Sequence, residues 1–405
     1  MASPVDTSVK HFTSAMVNAP ALSGTKSSLN GLLETLLVTG FDIKSLTSLT
    51  VAAGVATAAF SGTHSAVVDS VVLIAGVTGG PTGWAQLNGE QKISAKPDAS
   101  SVKFATALAD GTYTGTITMK MAPLGFEKPF VGTDVAAFRS TDPASTKMIL
   151  RVDDSAATVA RVVGCESMTD INTYSGLFPT NAQVNGGGYW AKSVGANSTP
   201  VQWALVGDSR GFFLHVCPRW TAAAPNVSQG ATRYFGDSIV LKPGGDAYAC
   251  SLSYSPSSDP SAHYDGQPEF QNNNFYQAFP RAPTGLGSAL LCGCYAYTGG
   301  AGACSGADTY FGTFPSPIDG ALRLSRRYFA SGSGFPPRAE LPGLYSVPHT
   351  GLADSFRFND RVPGTGALAG RTLMVVNTAT TTISGAISSG NAGAAFLDIT
   401  GPWLR

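Results

Sequence analysis

A hydrophobic period of two residues, running from about residue 45 to 120, most constrains what this chain can fold into. Six short segments there alternate apolar and polar side chains, as strands with one buried face do: residues 46–50, 55–60, 67–75, 91–95, 102–107 and 113–120. Glycine-containing turns separate them, among them Asn88-Gly89 and Asp110-Gly111, which are typical hairpin turns. Six strands in so short a stretch predict a small barrel or sandwich.

The rest of the chain is also rich in strand patterns, with longer loops. Further strands are predicted at residues 147–152, 158–163, 201–206, 211–216, 238–241, 247–254, 288–297, 321–324, 372–377 and 382–387. The polar, asparagine-rich stretch 255–274 is predicted to be a long loop, and 364–370 an exposed one. We find no repeat with a fixed period of about 20–50 residues, which disfavours a solenoid or propeller.

One amphipathic helix precedes the first of these strands. Five leucines recur there at helical spacing: Leu29, Leu32, Leu33, Leu36 and Leu37. Ser27 or Ser28 is placed to cap the helix, and Gly40 is placed to end it. We therefore predict a mostly β, multi-domain sandwich or barrel architecture with one short N-terminal amphipathic helix.

The length of 405 residues exceeds that of one ordinary domain. We predict four regions. Residues 1–47 form a helix-containing segment that belongs to the main β domain, and 48–120 form an inserted small β module. Residues 121–265 form a central β domain, and 266–405 form a C-terminal β region. Insertion suits the module because its two ends are neighbouring strand ends at a surface.

Charge is scarce and balanced in this sequence. Lys plus Arg and Asp plus Glu number 26 each, and charged residues make up 13% of the chain, about half the usual share. A nucleic-acid-binding protein normally carries a basic surplus, so no nucleic-acid partner is expected. Zero net charge favours association, so we expect contacts between copies of the chain. No apolar run reaches 18 residues and residues 1–10 lack a signal-peptide pattern, so we expect cytosolic synthesis without membrane insertion.

The six cysteines all follow residue 164, and none forms a C-x-x-C pair. A structural zinc site is therefore not predicted. Buried thiols within strands are the favoured interpretation, and a disulfide formed later is the alternative. Cys292 and Cys294 share one face if their segment is a strand, so each would need a different disulfide partner.

Three short motifs resemble those of hydrolases. Gly207-Asp208-Ser209 and Gly236-Asp237-Ser238 could present a nucleophilic serine, as in the lipase-like enzymes that also carry a late Asp-x-x-His. Here the residue three positions before His349 is Ser346, so both triplets are interpreted as turns. Residues 302–306 match G-x-C-x-G, but they lack the strand before and the helix after that a nucleophile elbow needs.

Other catalytic or metal-binding patterns are weak. The five histidines are scattered, with no H-x-H or H-E-x-x-H. Asp153-Asp154 could serve as a cation ligand or a glycosidase acid, but an exposed strand-end turn is favoured. Nucleotide-binding glycine motifs are absent from the sequence. We therefore predict no enzymatic activity, no metal and no cofactor.

Aromatic and amide side chains beside the predicted 255–274 loop could bind a sugar by stacking and hydrogen bonding. The candidate contact residues are Phe270, Asn272, Asn273, Phe275 and Tyr276. Anchoring of the loop against the protein's own core is the favoured alternative for these aromatic residues.

Several segments together resemble one family of proteins. They include 39–45 and 49–57, then 71–76, 87–90 (Leu-Asn-Gly-Glu) and 109–117, which ends in a Gly-Thr strand. This pattern is similar to the small β module inserted in tail-associated structural proteins of tailed bacteriophages. The stretch 122–130 resembles the exit from that module, and 396–403 resembles the ending of such proteins. The likeness is closest over 28–140 and at the last ten residues, and it departs at His64-Ser65-Ala66, where members usually carry His-Gly-Phe.

The resemblance implies a structural subunit of a tailed-bacteriophage virion, in the tail tip, baseplate or collar. Its partners would be other copies of itself and other tail proteins, and it would be assembled in the host bacterial cytoplasm. No catalytic residue is implied. The alternative is a host-contacting spike or a capsid decoration protein, which could touch a host surface glycan through the candidate residues. A polysaccharide depolymerase is less favoured, since it needs two facing carboxylates and no pair can be nominated.

Overall fold

The structure, a computed structural model, describes residues 3–219, 230–262, 268, 272–297, 307–308, 312–313, 318–332, 335–347, 356–381 and 387–404. Strands make up 49% of the chain and helices 6%, so the predicted mostly β class with one short helix near the N-terminus is confirmed. Within these described ranges, no helix is both long enough and apolar enough to cross a membrane.

The chain begins with a short strand and a leucine-rich helix. Strand β1 (Lys10–Thr13) precedes helix α1 (Ser28–Glu34), which continues as a π-helical turn, Thr35–Thr39. All five leucines of the predicted apolar face are buried. The helix ends at Gly40, where φ is 73° and an ideal Cβ would lie 2.3 Å from the carbonyl oxygen of Met121. Only glycine fits this position without a shift of the backbone.

The N-terminus of α1 is capped by a residue far along the chain. The amides of Leu29 and Asn30 donate to Oδ2 of Asp154 over 2.7 and 3.1 Å. Ser27 has a left-handed backbone, and its side chain makes no cap hydrogen bond. Ser28 donates its hydroxyl to a carbonyl of the preceding loop. Ser27 therefore occupies the predicted N-cap position, but neither serine hydroxyl caps the helix, because both bond to other partners.

Residues 41–121 then form a closed barrel of six antiparallel strands. In chain order these are β2 (Phe41–Ala52), β3 (Val55–Phe60), β4 (Val71–Gly79), β5 (Gly89–Asp98), β6 (Ser101–Ala105) and β7 (Gly111–Met121). Around the barrel the order is β2-β3-β6-β5-β4-β7, and β7 pairs with β2 to close it. Each of the six segments predicted from the period of two overlaps one of these strands, so the predicted small barrel is confirmed.

The barrel is filled by alternate side chains from its strands. In β3, Ala56, Ala58 and Phe60 are buried and the residues between them are not. Where β4 and β7 cross, a Cβ on Gly76 would lie 2.1 Å from the carbonyl oxygen of Thr116. Glycine is required at this irregular pairing because the two backbones approach too closely for a side chain.

A five-stranded antiparallel sheet follows the barrel. The strands after the barrel are β8 (Phe126–Gly132), β9 (Val135–Ser140), β10 (Ile149–Asp153), β11 (Val159–Cys165), β12 (Ser167–Asp170), β13 (Thr173–Ser175) and β14 (Gly188–Ala191). The sheet order is β14-β11-β10-β9-β8, while β12 and β13 form a separate hairpin. Phe138, Leu150 and Val162 on one face pack into the same core as the α1 leucines.

The largest sheet in the described residues has 13 strands and includes β1. The strands that follow β14 are β15 (Gln202–Asp208), β16 (Gly211–Cys217), β17 (Ala231–Asp237), β18 (Ile239–Val240), β19 (Cys250–Ser253), β20 (Asn272–Phe279), β21 (Leu290–Ala296), β22 (Ala307–Asp308), β23 (Gly312–Thr313), β24 (Ser325–Ala330), β25 (Ala339–Val347), β26 (Arg361–Pro363), β27 (Thr372–Thr381) and β28 (Ile387–Asp398). The order is β1-β15-β16-β17-β19-β20-β21-β24-β25-β28-β27-β26, β18 joins at β25, and β22 pairs only with β23.

Strand alternation divides the interior into layers. In β15, Trp203 and Leu205 point to the cluster that holds the α1 leucines, the barrel and the five-stranded sheet, which we name the inner core. Ala204 and Val206 of the same strand point to a second cluster, the middle core, which also contains Phe213 of β16. The first half of the large sheet is therefore buried on both faces.

The second half of the sheet shows the same alternation. Met374 of β27 and Leu397 of β28 face the middle core, so the sheet folds over on itself as a sandwich. Leu373, Val375 and Phe396 face the opposite way, into a smaller cluster that we name the outer core. Among the described residues, side chains from the segments 322–324 and 356–368 pack over this outer core, and most of these segments are loops.

Two contacts close the sandwich at its margins. Strand β18 leaves the first half and pairs with β25 in the second. The edge strands β1 and β26 also approach each other, where Nη2 of Arg361 lies 3.1 Å from Nε2 of the buried His11. Burial and the charge of Arg361 hold the pKa of His11 well below its usual range. The neutral ring can therefore accept a hydrogen bond from the guanidinium.

Charged side chains fasten the barrel to the large sheet. Nζ of Lys10 lies 3.0 Å from Oε1 of Glu90, and Nζ of Lys92 donates to the carbonyl of Thr400 over 2.5 Å. Arg361 donates to a backbone carbonyl beside the barrel over 2.7 Å. Burial lowers the pKa of Lys92. The two bodies are thus joined by directional contacts of long side chains, of which Lys10 and Lys92 are buried.

Some predicted boundaries differ from the structure. Residues 321–324 are not a strand, because Leu322 and Leu324 pack over the outer core and β24 begins only at Ser325. The predicted 255–274 loop ends early, since β20 begins at Asn272. Most of 382–387 lies outside the described residues. The barrel begins at Phe41 and the large sheet continues across residue 265, so the division into four regions stays a prediction.

Candidate functional site

The residues predicted to contact a glycan lie mainly in a strand. Strand β20 contains four of them: Asn272, Asn273, Phe275 and Tyr276. The Phe275 side chain is 41% exposed, whereas Tyr276 packs on Tyr254 with 5.8 Å between ring centroids. Phe270 lies outside the described residues. Contact of these residues with a glycan stays a prediction, and the supposed loop is in part a paired strand.

Both Gly-Asp-Ser triplets lie at strand ends, where the aspartates hold turns. Oδ1 of Asp208 accepts hydrogen bonds from the amides of Arg210 and Gly211, over 2.9 and 3.0 Å. Asp237 accepts a 2.6 Å hydrogen bond from the hydroxyl of Thr146 and a 3.0 Å bond from Nε of Arg210. These contacts fit the interpretation of the triplets as turns.

The prediction of an exposed turn at Asp153-Asp154 is wrong for Asp154. This carboxylate is fully buried and forms an ion pair with Lys192, which is also fully buried. Nζ of Lys192 donates to the carbonyls of Thr25 and Ala156 as well, over 2.7 and 2.8 Å. The ammonium therefore has partners for all three of its donors.

Asp154 connects helix α1 to the five-stranded sheet. Its Oδ1 atom holds Lys192, while its Oδ2 atom receives the two amides at the start of α1. Burial raises the pKa of the Asp154 carboxyl, and the Lys192 ammonium and the helix amides oppose that rise. Because neither side chain reaches solvent, we interpret the pair as a structural clamp and not as a reactive site.

A second buried polar cluster lies at the base of the barrel. Oδ2 of Asp42 accepts from the amide and the hydroxyl of Ser65, over 2.7 and 2.8 Å, and Oδ1 accepts from Asn18 over 2.9 Å. Nε2 of the buried His64 lies 3.8 Å from Asp42. Burial lowers the pKa of His64 to about 4. Burial opposes ionisation of Asp42, but the hydrogen bonds from Asn18 and Ser65 hold its pKa below the usual value.

This cluster includes residues 64–66, where the sequence departs from the pattern that it otherwise resembles. The hydroxyl of Ser65 donates to Asp42. The amide of Ala66 donates to Nδ1 of His64 over 2.9 Å. Of the hydrogen bonds that hold this turn, the one from the Ser65 hydroxyl is one that glycine could not provide, whereas the bond to His64 comes from a backbone amide.

Cysteines and histidines in the described part of the chain form no group that could hold a metal ion. Five cysteines are buried: Cys165, Cys217, Cys250, Cys292 and Cys294. Burial raises the pKa of the thiols of Cys165, Cys217 and Cys292 to about 12, so these stay protonated at neutral pH. Cys292 and Cys294 both face the middle core. Cys304 and the 302–306 motif lie outside the described residues.

A groove of about 1190 Å³ opens over the outer core. Its floor is formed by β25, β27 and β28 through side chains such as Tyr345 and Phe396, and its walls by segments 321–324 and 362–368. Trp403 also lines it, with Nε1 donating to the carbonyl of Asp398 over 2.9 Å. We name it the arginine groove after three residues that line it: Arg323, Arg326 and Arg371.

Two of these arginines are in ion pairs that reach solvent. Nη1 of Arg326 lies 3.0 Å from Oε2 of Glu340, and the hydrogen bond between them raises the pKa of Arg326. Nη1 of Arg371 lies 3.3 Å from Oδ2 of Asp398. The Arg326 side chain is 46% exposed, in contrast to the fully buried Lys192.

Neither the arginine groove nor the buried pair of Lys192 and Asp154 was identified from the sequence, although the groove has a recognisable sequence pattern. Three arginines occur within residues 323–327. Strand alternation separates Arg326, which points outward, from Arg327, which is buried and donates to the carbonyl of Pro268 over 3.1 Å. For Lys192 and Asp154 no local pattern exists, since 38 residues separate them.

Comparison with known proteins does not add a family to this description: no family model matches the sequence, and no curated protein matches it. The function is therefore argued from the residues and their geometry.

Proposed function

We propose that this chain is a structural subunit of a tailed-bacteriophage virion, placed in the tail tip, baseplate or collar and assembled as a homo-oligomer. The observation that carries the proposal is the closed barrel, which lies within the segment of closest resemblance, 28–140, and is built onto a larger layered β body. In this proposal the partners are further copies of the chain and other tail proteins, and the chain has no catalytic role.

The junction between barrel and body supports a scaffolding role. A subunit that keeps neighbours in register must hold its own parts at fixed angles. Here the ion pair of Lys10 with Glu90 and the hydrogen bond from Lys92 to Thr400 connect the two bodies. Long side chains lose considerable entropy when they are ordered, so such contacts are effective only between parts that stay together.

The edge strands support assembly through side-chain surfaces instead of strand addition. Edge strand β26 has only three residues and includes Pro363, while edge strand β8 carries Lys128 and Pro129. Proline and lysine on an edge strand prevent open-ended pairing with another chain. A subunit protected in this way can form a closed ring without also forming fibres.

Exposed apolar side chains offer contacts for neighbouring subunits. Leu286 is 73% exposed, Val131 is 63% exposed and Ile43 is 66% exposed. With zero net charge, the chain has little long-range repulsion to oppose their association. These surfaces are suited to contacts that form at high local concentration during assembly.

Immunogold electron microscopy of purified particles, with an antibody to this chain, tests the proposal. Label confined to the tail tip, baseplate or collar is the expected result. Label over the capsid would indicate a decoration protein, and absence of label from intact and disrupted particles would contradict the proposal.

Native mass spectrometry of the purified full-length chain tests the homo-oligomer separately. We expect one closed oligomer, and Leu286→Asp should weaken it because the variant places a charge on an exposed apolar contact surface. Thr39→Asp, which adds the same charge at another position exposed on the surface, is the control. A chain that stays monomeric at all concentrations and in the presence of the other tail proteins would contradict self-assembly.

A further inference from the structure

Donor groups that make no hydrogen bond to any described residue converge on the arginine groove. Arg323 is exposed and makes no ion pair or side-chain hydrogen bond with any residue that the structure describes. Nη1 of Arg371 is buried and forms an ion pair with Oδ2 of Asp398 over 3.3 Å, but it makes no hydrogen bond within the described part of the molecule. The hydroxyl of Tyr345 lines the same groove and bonds to no described residue. Donors that line one cavity can bond to the acceptors of a ligand there.

The exposed guanidinium of Arg323 favours an anion in the groove. Of the other two lining arginines, Arg326 is paired with Glu340 and Arg371 with Asp398. Oδ1 of Asp398 already accepts hydrogen bonds from Thr400 and Gly401. Burial and the charge of Asp398 raise the pKa of Tyr345, so its hydroxyl stays protonated and can donate. The groove therefore offers two guanidinium groups and a phenol as donors.

We propose that the arginine groove binds a carboxylate-bearing oligosaccharide. A guanidinium group matches a carboxylate with two parallel hydrogen bonds, which makes Arg323 and Arg371 suitable anchors for sugar acids. The phenol of Tyr345 can bond to a sugar hydroxyl, and aromatic edges of Tyr345 and Trp403 provide an apolar surface for a ring. The volume of the groove suits a short oligosaccharide better than a single ion.

The backbone around the groove disfavours a peptide as the occupant. Extended peptides usually bind by adding a strand to an open sheet edge. The floor strands β25, β27 and β28 each pair with a strand on both sides, so they offer no open edge. In the described part of the walls the edge strand is β26, which has three residues and ends in proline, a residue without an amide donor. Recognition must therefore come from side chains, which suits a saccharide.

This inference does not depend on the proposed virion role. Binding by the purified chain is measured without any particle, so one proposal can fail while the other stands. Of the five residues predicted from the sequence to contact a glycan, the four that the structure describes do not line this groove.

Isothermal titration calorimetry of the purified full-length chain tests the proposal directly. The acidic probes are tetragalacturonate, a hyaluronate tetrasaccharide and tetrameric sialic acid, and the neutral probe is maltotetraose. We expect at least one acidic probe to bind, more weakly as salt is added, and maltotetraose not to bind. Equal affinity for the neutral probe, or no binding of any acidic probe at concentrations of about 1 mM, would overturn the proposal.

Variants locate the binding in the groove. Arg323→Gln should weaken binding about tenfold, because it removes a hydrogen bond between charged groups. Tyr345→Phe should weaken it about threefold, because it removes a hydrogen bond of the neutral hydroxyl. Lys103→Gln, which removes one positive charge from the barrel, is the matched control and should leave the affinity unchanged.

Two results would reject the proposed site or ligand. If Arg323→Gln binds the acidic probes as tightly as Lys103→Gln does, the binding site lies outside the groove. Binding of tetraglutamate that equals the best acidic saccharide and depends equally on Arg323 would indicate a site for acidic peptides instead. Thermal unfolding of each variant confirms that it is folded, and Arg323 is exposed enough for its loss to leave the fold intact.

Discussion

The inner core and the outer core, which lie on either side of the middle core, are covered in different ways. The inner core is enclosed by helix α1, the barrel and a second sheet, and the fully buried pair of Lys192 and Asp154 lies beside it. The outer core is covered by loop segments, and its ion pairs reach solvent in the arginine groove. Similar charged groups therefore serve different ends: on one side they fix the chain, and on the other they remain accessible to a ligand.

The largest effect should come from the buried pair. Lys192→Met leaves the Asp154 carboxylate buried without its counter-charge, and we expect a loss of about 4 kcal/mol in the free energy of unfolding, measured by denaturant titration. The double variant Lys192→Met with Asp154→Asn should recover part of this loss, since it removes the unpaired charge and keeps an oxygen to cap α1. If Lys192→Met alone is as stable as the native protein, the pair is not a structural clamp.

Two glycines allow the two sides to be compared in how well they tolerate an added side chain. Gly40 and Gly370 both have positive φ, at 73° and 80°, but only Gly40 has backbone within contact of an added Cβ. Gly40→Ala should lower the free energy of unfolding by about 3 kcal/mol, from backbone strain together with a clash at Met121. Gly370→Ala, in the loop region of the outer side, should cost about 1 kcal/mol from strain alone. Equal losses of stability for the two variants in thermal unfolding would show that the backbone around Gly40 adjusts to a methyl group as easily as the backbone around Gly370.

Acid should destabilise the inner side through His64. Its folded pKa of about 4 lies below the unfolded value of 6.5, so protonation favours the unfolded chain. This contribution is fully present above pH 6.5 and is lost as the pH falls toward 4, by at most about 3 kcal/mol. His64→Asn, whose side-chain oxygen can still accept the hydrogen bond from Ala66, should flatten the stability-against-pH curve in that window. Buried His11 acts in the same direction, so some slope should remain.

The smallest effect is expected in the groove. Arg326→Gln breaks an ion pair in which the arginine is 46% exposed, and it should cost less than about 1 kcal/mol of unfolding free energy. Adding salt should reduce that difference further, because solvent ions screen exposed charges. A loss as large as that of Lys192→Met, measured under the same conditions, would remove the distinction between the two sides.

The barrel and helix could be predicted from sequence because their signals are local. The leucines of α1 and the alternation of β3 arise within single elements, and Asn88-Gly89 marks the start of β5. Edge strand β8 was missed because Lys128 and Pro129 interrupt its apolar pattern. Strand β25 was missed because nearly all of its residues are buried, which hides the alternation between faces.

The charged sites could not be predicted because they depend on tertiary contacts. Whether Asp154 is exposed or buried is decided by Lys192 and by the start of α1, both distant along the chain. The arginine groove combines Arg323 with Tyr345 and Trp403, which belong to three different segments. A run of arginines can suggest a charged surface, but only the folded sheet places donors from several segments around one cavity.

The pairing of β1 has a consequence for folding during synthesis. The barrel needs only residues 41–121, so it can close soon after they leave the ribosome. Lys10 of β1 must wait for Gly207 to pair, and His11 meets Arg361 across 350 residues. Since such distant contacts carry a high loop-closure entropy, we expect the large sheet to form late. Until then β1 has no strand partner. The completed barrel is the surface against which the nascent chain can bury the apolar side chains of that strand.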